Sequence, residues 1–343
     1  MEVWYGADGV PAAVSAPGGP GSVVTIGIFD GVHRGHQAIL TRVVERARDM
    51  TRPDGSRPLA VAVTFDPHPV LVHRPEAHLP MVASLADRLT SLATTGLDAV
   101  LVIHYTLKFA DQSPQRFVRT WLEGLLGARA VVVGEDVRFG RGNSGDAQCL
   151  REICAADGVE VEIISDVHAP GGRRWSSTWV RELLEAGDMR GAAEVLGHAH
   201  RLRGTVVHGM RRGRELGFPT ANLEAASAGV VPPDGVYAGW LVRSPGAGGQ
   251  DPEERLPAAI SIGTNPTFDD VPTRTVEAHV LGRTDLDLYG EVVVIELVEY
   301  LRPMLAFDGL DPLLAQMRED VVDTAGVLGV PAPEAAGPGG VAP

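Results

Sequence analysis

The sequence predicts an α/β chain in two parts: a parallel α/β domain, followed by a compact antiparallel β-barrel that ends in a helix. Up to about residue 186, apolar runs typical of buried strands alternate with amphipathic stretches typical of helices. Such alternation indicates a parallel sheet with helical crossovers. After residue 203, short apolar runs separated by Gly and Pro show little helical periodicity. A length of 343 residues is also typical of two domains.

The composition limits the class of protein. A hydrophobic content of 44% is sufficient for globular cores. No apolar run approaches a membrane span, and the N-terminus lacks a basic segment followed by an apolar one, so we expect a cytoplasmic protein with no membrane partner. The net charge of −14 argues against a nucleic-acid partner, because neutralising phosphates requires a basic face. Cys149 and Cys154 are expected to be reduced structural residues.

Five buried strands are predicted in the first part, with helices after the first strand, after Ser113-Pro114 and around Cys149 to Ala156. Ligands bind at the carboxyl ends of parallel strands, so segments that follow three of these strands should converge on one cleft. The predicted strands are residues 23–26, 60–65, 99–103, 130–134 and 159–164, and the converging segments are residues 27–36, 66–69 and 134–140.

The most informative stretch is Gly27-Ile28-Phe29-Asp30-Gly31-Val32-His33-Arg34-Gly35-His36. Its glycines allow the backbone to approach an anion, and the helix that follows offers free N–H groups to a phosphate. His33 and His36 stand near one helical turn apart, so both imidazoles point to the same side and can stabilise charge developing on a phosphate. Two alternatives remain: ordinary surface histidines, or a metal pair, for which the motif offers no third ligand.

A second anion site is predicted at Arg174-Trp175-Ser176-Ser177-Thr178-Trp179-Val180-Arg181. Ser177 or Thr178 would cap the helix that follows. A capped helix N-terminus flanked by two arginines favours anions. The alternative is an ordinary N-cap with two solvated arginines.

The second part carries two further candidate segments. Residues 204–222 combine glycines and arginines that can wrap a phosphate with Thr and Asn oxygens, which are hard ligands suited to Mg²⁺. The segment is not a Walker A loop, and a turn-rich hairpin is the alternative. In residues 275–280, alternation puts Glu277 and His279 on one face and Val276 on the core face, where an exposed polar face is the alternative for Glu277.

These patterns divide the chain. We predict a first domain at residues 1–186, a linker at 187–203 and a barrel domain at 204–330 that includes a helix starting at Asp311-Pro312. The Pro-, Gly- and Ala-rich residues 331–343 are predicted to be a disordered tail.

Three strings together resemble one known family. They are Gly-x-Phe-Asp-Gly-Val-His-x-Gly-His in the first motif, Ser-Ser-Thr-x-x-Arg in the second, and Gly-Phe-Pro-Thr-Ala-Asn at residues 217–222. They resemble motifs of the bacterial bifunctional riboflavin kinases and FMN adenylyltransferases, also called FAD synthetases. The resemblance covers nearly all of the chain before the tail. It implies a Rossmann-like nucleotidylyltransferase domain with a His-x-Gly-His motif, followed by a riboflavin kinase barrel.

The same resemblance implies two reactions. The second domain would phosphorylate riboflavin to FMN, and the first would adenylylate FMN to FAD with release of pyrophosphate. The partners would be riboflavin, FMN and ATP, with ATP as co-substrate and Mg²⁺ as cofactor, and a homo-oligomer is left open. Two alternatives are a single-activity adenylyltransferase with a decayed second domain, and a flavin carrier without catalysis. The intact motifs of both halves argue against them.

Carried over residue by residue, the resemblance assigns roles. The implied catalytic residues are His33, His36 and Glu277, and the implied Mg²⁺ ligands are Thr220 and Asn222. ATP and its phosphates would contact Gly27, Phe29, Asp30, Gly31, Arg174, Ser177, Thr178, Arg181, Gly209, Arg214, Gly217 and Pro219. The flavin would contact Phe65, Pro67, Asp136 and Arg302. The chain departs from the common family pattern at Ile28, Asp136, Val137 and Trp175, and Asp136 stands where many members have Asn.

Overall fold

The first half of the chain forms a six-stranded parallel sheet in the order β1-β4-β3-β2-β5-β6. The structure is a computed structural model, and it describes residues 1–208, 218–224, 229–243, 253–264 and 274–333. The five predicted strands are confirmed. The edge strand β1 was not predicted, because four residues with one buried side chain give no readable pattern. The strands are β1 (Glu2–Tyr5), β2 (Ser22–Ile26), β3 (Leu59–Asp66), β4 (Ala99–His104), β5 (Ala128–Gly134) and β6 (Glu160–Ile164).

Helices cover this sheet, and separate apolar clusters occupy its two faces. In α1 the buried positions are Leu40, Val43, Val44 and Ala47, whose three- and four-residue spacing places them on one face of the helix. Both cysteines lie on α6 and are free. The helices of this unit are α1 (Arg34–Asp49), α2 (Pro69–His73), α3 (Leu85–Ala93), α4 (Leu107–Ala110), α5 (Pro114–Phe117), which continues as a π-helical stretch (Val118–Leu125), and α6 (Ala147–Ala156). Two helices follow, α7 (Ser177–Glu185) and α8 (Met189–Leu196), and contacts group them, apart from Ser177, with the second half of the chain.

The second half forms a closed barrel in the order β10-β11-β8-β7-β12-β9, with antiparallel neighbours, as predicted. Gly239 lies where β9 passes β12, and a Cβ there would stand 2.0 Å from the Glu296 carbonyl oxygen, so a larger residue would force the strands apart. The elements are β7 (His200–Val207), β8 (Ala221–Leu223), β9 (Gly235–Arg243), β10 (Glu254–Thr264), β11 (Arg274–Val280), β12 (Val292–Arg302) and α9 (Leu310–Leu328).

Contacts divide the chain into two compact units. The first is Met1–Pro80 with Leu85–Ser177, and the second is Met81–Ser84 with Thr178–Pro343. This division falls before the predicted boundary at residue 186. Strand β7 begins at His200, so the barrel extends into the segment predicted as a linker. Residues 334–343 of the predicted tail lie outside the described residues. Among the helices that the structure describes, none has the length and apolarity needed to cross a membrane.

Candidate active sites

A cavity of about 380 Å³ lies in the first unit at the carboxyl ends of its central strands. The segments that follow β2, β3 and β5 all contribute to its wall, which confirms the predicted convergence. Phe65, His68 and Pro69, on either side of Pro67, form one part of the wall. Other residues that line it are Gly27, Phe29, His36, Tyr105, Phe109, Asp136 and Arg138.

The turn between β2 and α1 has an unusual backbone. Phe29 and Val32 have φ angles of 54° and 45°, in the left-handed region that side-chain-bearing residues rarely adopt. Gly31 lies between them with φ 77°, and Asp30 and Gly31 are buried within the turn. A Cβ on Gly27 would stand 2.9 Å from the Phe29 ring, so that ring requires a glycine before it. The turn therefore has a specific shape, which packing must maintain.

The two histidines of the motif stack on each other at the start of α1. Their ring centroids are 3.6 Å apart with an interplanar angle of 21°. The His36 backbone N–H donates to His33 Nδ1 at 3.4 Å, so His33 is the N-cap of the helix. The edge of Phe29 packs against His36 with centroids 5.3 Å apart. The buried Nδ1 of His36 has no hydrogen-bond partner among the described residues.

Both imidazoles are neutral in this environment. Burial, followed by the positive charge of Arg174, lowers the pKa of His33 to about 4. Burial, followed by the neighbouring His33, lowers the pKa of His36 well below its usual value of 6.5. At neutral pH each ring therefore has one N–H donor and no charge. Burial therefore makes both imidazoles neutral donors and not cations.

Arg174 lies beside the histidines and is held by two carboxylates. It forms an ion pair with Asp136 and a second with Asp166, whose Oδ2 is 3.0 Å from Nη1. Arg174, Asp136, His33 and His36 together line a smaller cavity of about 90 Å³. Asp136 also lines the larger cavity, so it lies where the two meet. Asp166 was not among the predicted site residues, because it follows β6 with no motif around it.

Helix α7 begins at Ser177, so Ser177 and Thr178 both lie inside the helix and the prediction that one of them is its N-cap is wrong. The Ser177 hydroxyl donates to the Asp30 carbonyl oxygen at 2.9 Å, so this predicted phosphate residue contacts the turn after β2. Thr178 and Arg181 follow on α7, and contacts group them with the second unit. Their roles at the phosphates stay predictions.

Aromatic rings form another part of the cavity wall. Phe65 lies 5.7 Å from Tyr105 and 5.8 Å from Phe109, centroid to centroid, and Tyr105 lies 5.5 Å from Phe109. The Tyr105 hydroxyl is 3.1 Å from Nε2 of His73. This part of the cavity suits a flat aromatic group. Sequence reasoning named Phe65 but missed Tyr105 and Phe109. Their signal was their place just after a predicted strand.

A second candidate site lies on the barrel, where Thr220, Asn222 and Glu277 meet. Glu277 pairs with Asn222 across β11 and β8. The Thr220 hydroxyl donates to Glu277 Oε2 at 3.4 Å, and Asn222 Nδ2 donates to the Thr220 hydroxyl oxygen at 3.3 Å. Val276 is buried while Glu277 is half-buried, which confirms the predicted alternation. Burial raises the pKa of Glu277.

Of the other predicted barrel residues, Pro219 and Arg302 lie in the part of the chain that the structure describes. The Pro219 carbonyl oxygen is 2.9 Å from Nδ1 of His279, next to the Glu277 site. Arg302 forms a bidentate pair with Asp320 of α9, at 2.6 and 2.7 Å. Gly209, Arg214 and Gly217 lie outside the described residues.

Comparisons with known proteins identify both halves. The family model described as FAD synthetase matches residues 17–179, and the one described as riboflavin kinase matches residues 196–328. A bifunctional riboflavin kinase/FMN adenylyltransferase of Listeria monocytogenes is 35% identical over 88% of this chain and 91% of its own length. The protein of that description from Escherichia coli (strain K12) is 34% identical over 91% of this chain and 95% of its own.

One solved structure matches across both halves of the chain. It is described as a macrolide-efflux protein from Streptococcus pneumoniae, and it superposes with a TM-score of 0.78 at 28% identity. The match covers 94% of this chain and 99% of that one. We take from this similarity the arrangement of the fold.

Proposed function

Because the chain belongs to the family of bifunctional riboflavin kinases/FMN adenylyltransferases, it makes FMN from riboflavin and FAD from FMN with ATP, and we propose that the two sites described above divide this work. The cavity of the first unit transfers the adenylyl group, and the Glu277 site of the barrel phosphorylates riboflavin. One observation carries the first assignment. The cavity joins a helix N-terminus bearing two neutral histidines to a wall of aromatic rings.

Adenylyl transfer needs no nucleophile from the protein. An oxygen of the FMN phosphate attacks the α-phosphorus of ATP, the new P–O bond forms, and the bond to pyrophosphate breaks. His36 lines the cavity and donates its ring N–H to the phosphate oxygens that gain charge, while the positive end of the α1 dipole adds to this field. Phe65, Tyr105 and Phe109 hold the flavin ring, so the phosphate is presented in a fixed direction.

Arg174 binds the outer phosphates of ATP in this proposal. Its guanidinium is occupied by Asp136 and Asp166 in the free protein, so it exchanges a carboxylate for phosphate when ATP binds. Asp136 thereby opposes ATP binding at a position where many relatives have an uncharged Asn. Because the phosphates must displace this carboxylate from Arg174, Asp136 should lower the affinity for ATP relative to an Asn at the same position.

Riboflavin phosphorylation uses Glu277 as the general base. The 5′-hydroxyl of riboflavin gives its proton to the Glu277 carboxylate as its oxygen attacks the γ-phosphorus, and ADP leaves. Because burial raises the pKa of Glu277, the carboxylate is a better proton acceptor than an exposed one. The Thr220 hydroxyl orients it.

The barrel site also fits Mg²⁺. Thr220, Asn222 and Glu277 bring hydroxyl, amide and carboxylate oxygens together, which are hard ligands of the kind Mg²⁺ prefers. We propose that Thr220 and Asn222 hold the ion. When bound, it neutralises charge on the phosphates of ATP. A cytoplasmic location and the absence of a nucleic-acid partner stay predictions from composition.

Replacement of His36 tests the assignment of the first site. In His36→Ala, FAD formation from FMN should fall by on the order of 10²–10³, the usual effect of removing one donor to a transition-state charge. FMN formation from riboflavin should be unchanged, because that step belongs to the barrel. His78→Ala, an exposed histidine of the same unit, is the matched control. Normal FAD formation by His36→Ala would refute the assignment.

A further inference from the structure

Arg88 is a buried cation on α3, a helix that no motif marks. Its side chain is 2% exposed. Burying an arginine is costly unless its donors are satisfied and its charge is balanced. The carboxylates of Asp66 and Asp30 supply opposite charge, and Asp66 Oδ1 is 3.7 Å from Nη2. A position this costly calls for a reason.

The donors of Arg88 join two segments of the cavity wall. Nη1 donates to the Ile28 carbonyl oxygen at 2.8 Å, just after β2. Nη2 donates to the Phe65 carbonyl oxygen at 3.2 Å, at the end of β3. Ile28 and Phe65 both line the large cavity. One guanidinium therefore bonds both the turn that carries the histidines and the segment that carries Phe65.

The turn after β2 needs such support. Its residues Phe29 and Val32 have left-handed φ angles, a conformation that is unfavourable for residues with side chains and most unfavourable for β-branched ones such as Val32. Thr64 donates a second hydrogen bond to the Ile28 carbonyl oxygen at 3.0 Å, and Gln37 donates to that of Val32 at 2.8 Å. Thr64 belongs to β3 and precedes Phe65, so its bond joins the same two segments, and Arg88 adds a second link from α3 through the Phe65 carbonyl oxygen.

We propose that Arg88 is a positioning residue for adenylyl transfer. It holds the histidine turn and the flavin-binding wall at the spacing that places the FMN phosphate against the α-phosphorus, without contacting either substrate. This inference rests on the proposed function of the cavity. A loss of spacing of about 1 Å costs on the order of 10²-fold in rate when reacting groups must align.

The chain contains a control for a purely structural role, a half-buried arginine that also bonds backbone carbonyl groups. Arg129, at the start of β5, also joins backbone carbonyl groups: Nε donates to Pro20 at 2.9 Å and Nη2 to Gly19 at 3.0 Å. These bonds lie at the amino end of the sheet, away from the cavity. If Arg88 acts only as a clamp for the fold, Arg88→Met and Arg129→Met should behave alike.

The experiment uses the full chain. Arg88→Met, Arg88→Lys, Arg129→Met and His36→Ala are compared by thermal unfolding, by kcat and KM of FAD formation, and by the riboflavin kinase rate. We expect Arg88→Met to lower kcat/KM of FAD formation by on the order of 10²-fold per folded molecule. Arg88→Lys should lose less of this kcat/KM than Arg88→Met, because lysine keeps the positive charge. The loss should not vanish, because lysine lacks the fixed planar donors of arginine. Arg129→Met should unfold at a lower temperature but keep the wild-type kcat/KM of FAD formation. The riboflavin kinase rate should be unchanged in all three arginine variants.

The outcomes separate the two ideas. A wild-type kcat/KM of FAD formation in folded Arg88→Met would overturn the positioning role, and so would equal losses of kcat/KM in Arg88→Met and Arg129→Met. Neither result bears on the assignment of adenylyl transfer to the cavity, which His36→Ala tests separately. If Arg88→Met does not fold, Arg88→Lys decides: a reduced kcat/KM supports the role, and a wild-type value overturns it. Normal FAD formation by His36→Ala would instead refute the assignment of adenylyl transfer to this cavity.

Discussion

The proposed role of Glu277 as a general base can be tested by a single substitution. Glu277→Gln keeps the size of the side chain and the apolar face of β11 but removes the proton acceptor. Riboflavin phosphorylation at saturating substrates should fall by roughly 10²–10⁴, the usual contribution of a general base. Riboflavin affinity and FAD formation from supplied FMN should change little, since the loss is confined to one transition state. Near-normal kinase turnover would show that Glu277 is not the general base.

The raised pKa of Glu277 adds a pH dependence with a definite sign. A base acts only when deprotonated, so the kinase rate should fall as the pH drops through a pKa that lies above the usual value of 4.5. In the pH–rate profile of Glu277→Gln, the residual kinase activity should not show this fall at low pH, the acid limb of the profile. A shared acid limb would assign the titration to another group.

His33 should titrate far below an ordinary histidine. Its pKa of about 4 follows from burial and from Arg174, whereas Asp136 acts in the opposite direction. Removing the positive charge in Arg174→Met should raise this pKa, and removing the negative charge in Asp136→Asn should lower it. NMR titration of the imidazole protons in the free protein measures both shifts. A wild-type value near 6.5 would contradict the burial that makes His33 a neutral donor.

The same titration predicts how stability responds to pH. The unfolded chain takes up a proton on His33 near pH 6.5, whereas the folded chain resists it until about pH 4. The contribution of the neutral ring to folding is therefore complete above pH 6.5 and is lost as the pH falls toward 4.

At the scale of elements, α9 is fastened to β12 by the pair between Asp320 and Arg302. Their side chains are 8% and 18% exposed. In Asp320→Ala the guanidinium keeps its burial but loses its partner, so the free energy of unfolding should drop by about 1–3 kcal/mol. Denaturant unfolding measures the loss. The exposed pair of Arg283 with Asp285 is the control, and Asp285→Ala should change stability little. Equal effects in both variants would show that burial of the Asp320 pair is unimportant.

At the scale of the whole molecule, the two activities should separate. A fragment of residues 1–186 should convert FMN to FAD and leave riboflavin unchanged. A fragment of residues 1–177 follows the boundary of the first compact unit and lacks Thr178 and Arg181. It should bind ATP more weakly, because the predicted phosphate residues of α7 are missing. Both are followed by FMN and FAD formation. Riboflavin phosphorylation by residues 1–186 would contradict the assignment of activities to domains.

What the sequence determined by itself is what short stretches of chain can specify. Apolar periodicity identified five strands of the sheet, because burial of a strand depends on its own residues. Strand ends and glycine-rich turns located the histidine motif, the segment around Pro67 and Asp136 on one cleft, since all parallel strands end at one edge. The alternation around Glu277 was visible for the same local reason.

Only the tertiary structure decided what depends on residues distant in the chain. Arg88 is an ordinary helical arginine in the sequence, and its role arises from contacts with Ile28 and Phe65. Tyr105 and Phe109 join the cavity because β4 lies beside β3. The pairing of Arg174 with Asp136, and the neutral state of His33 that burial beside Arg174 produces, are likewise long-range effects. Charge and burial are set by everything that surrounds a group in space, and a linear pattern contains only its neighbours along the chain.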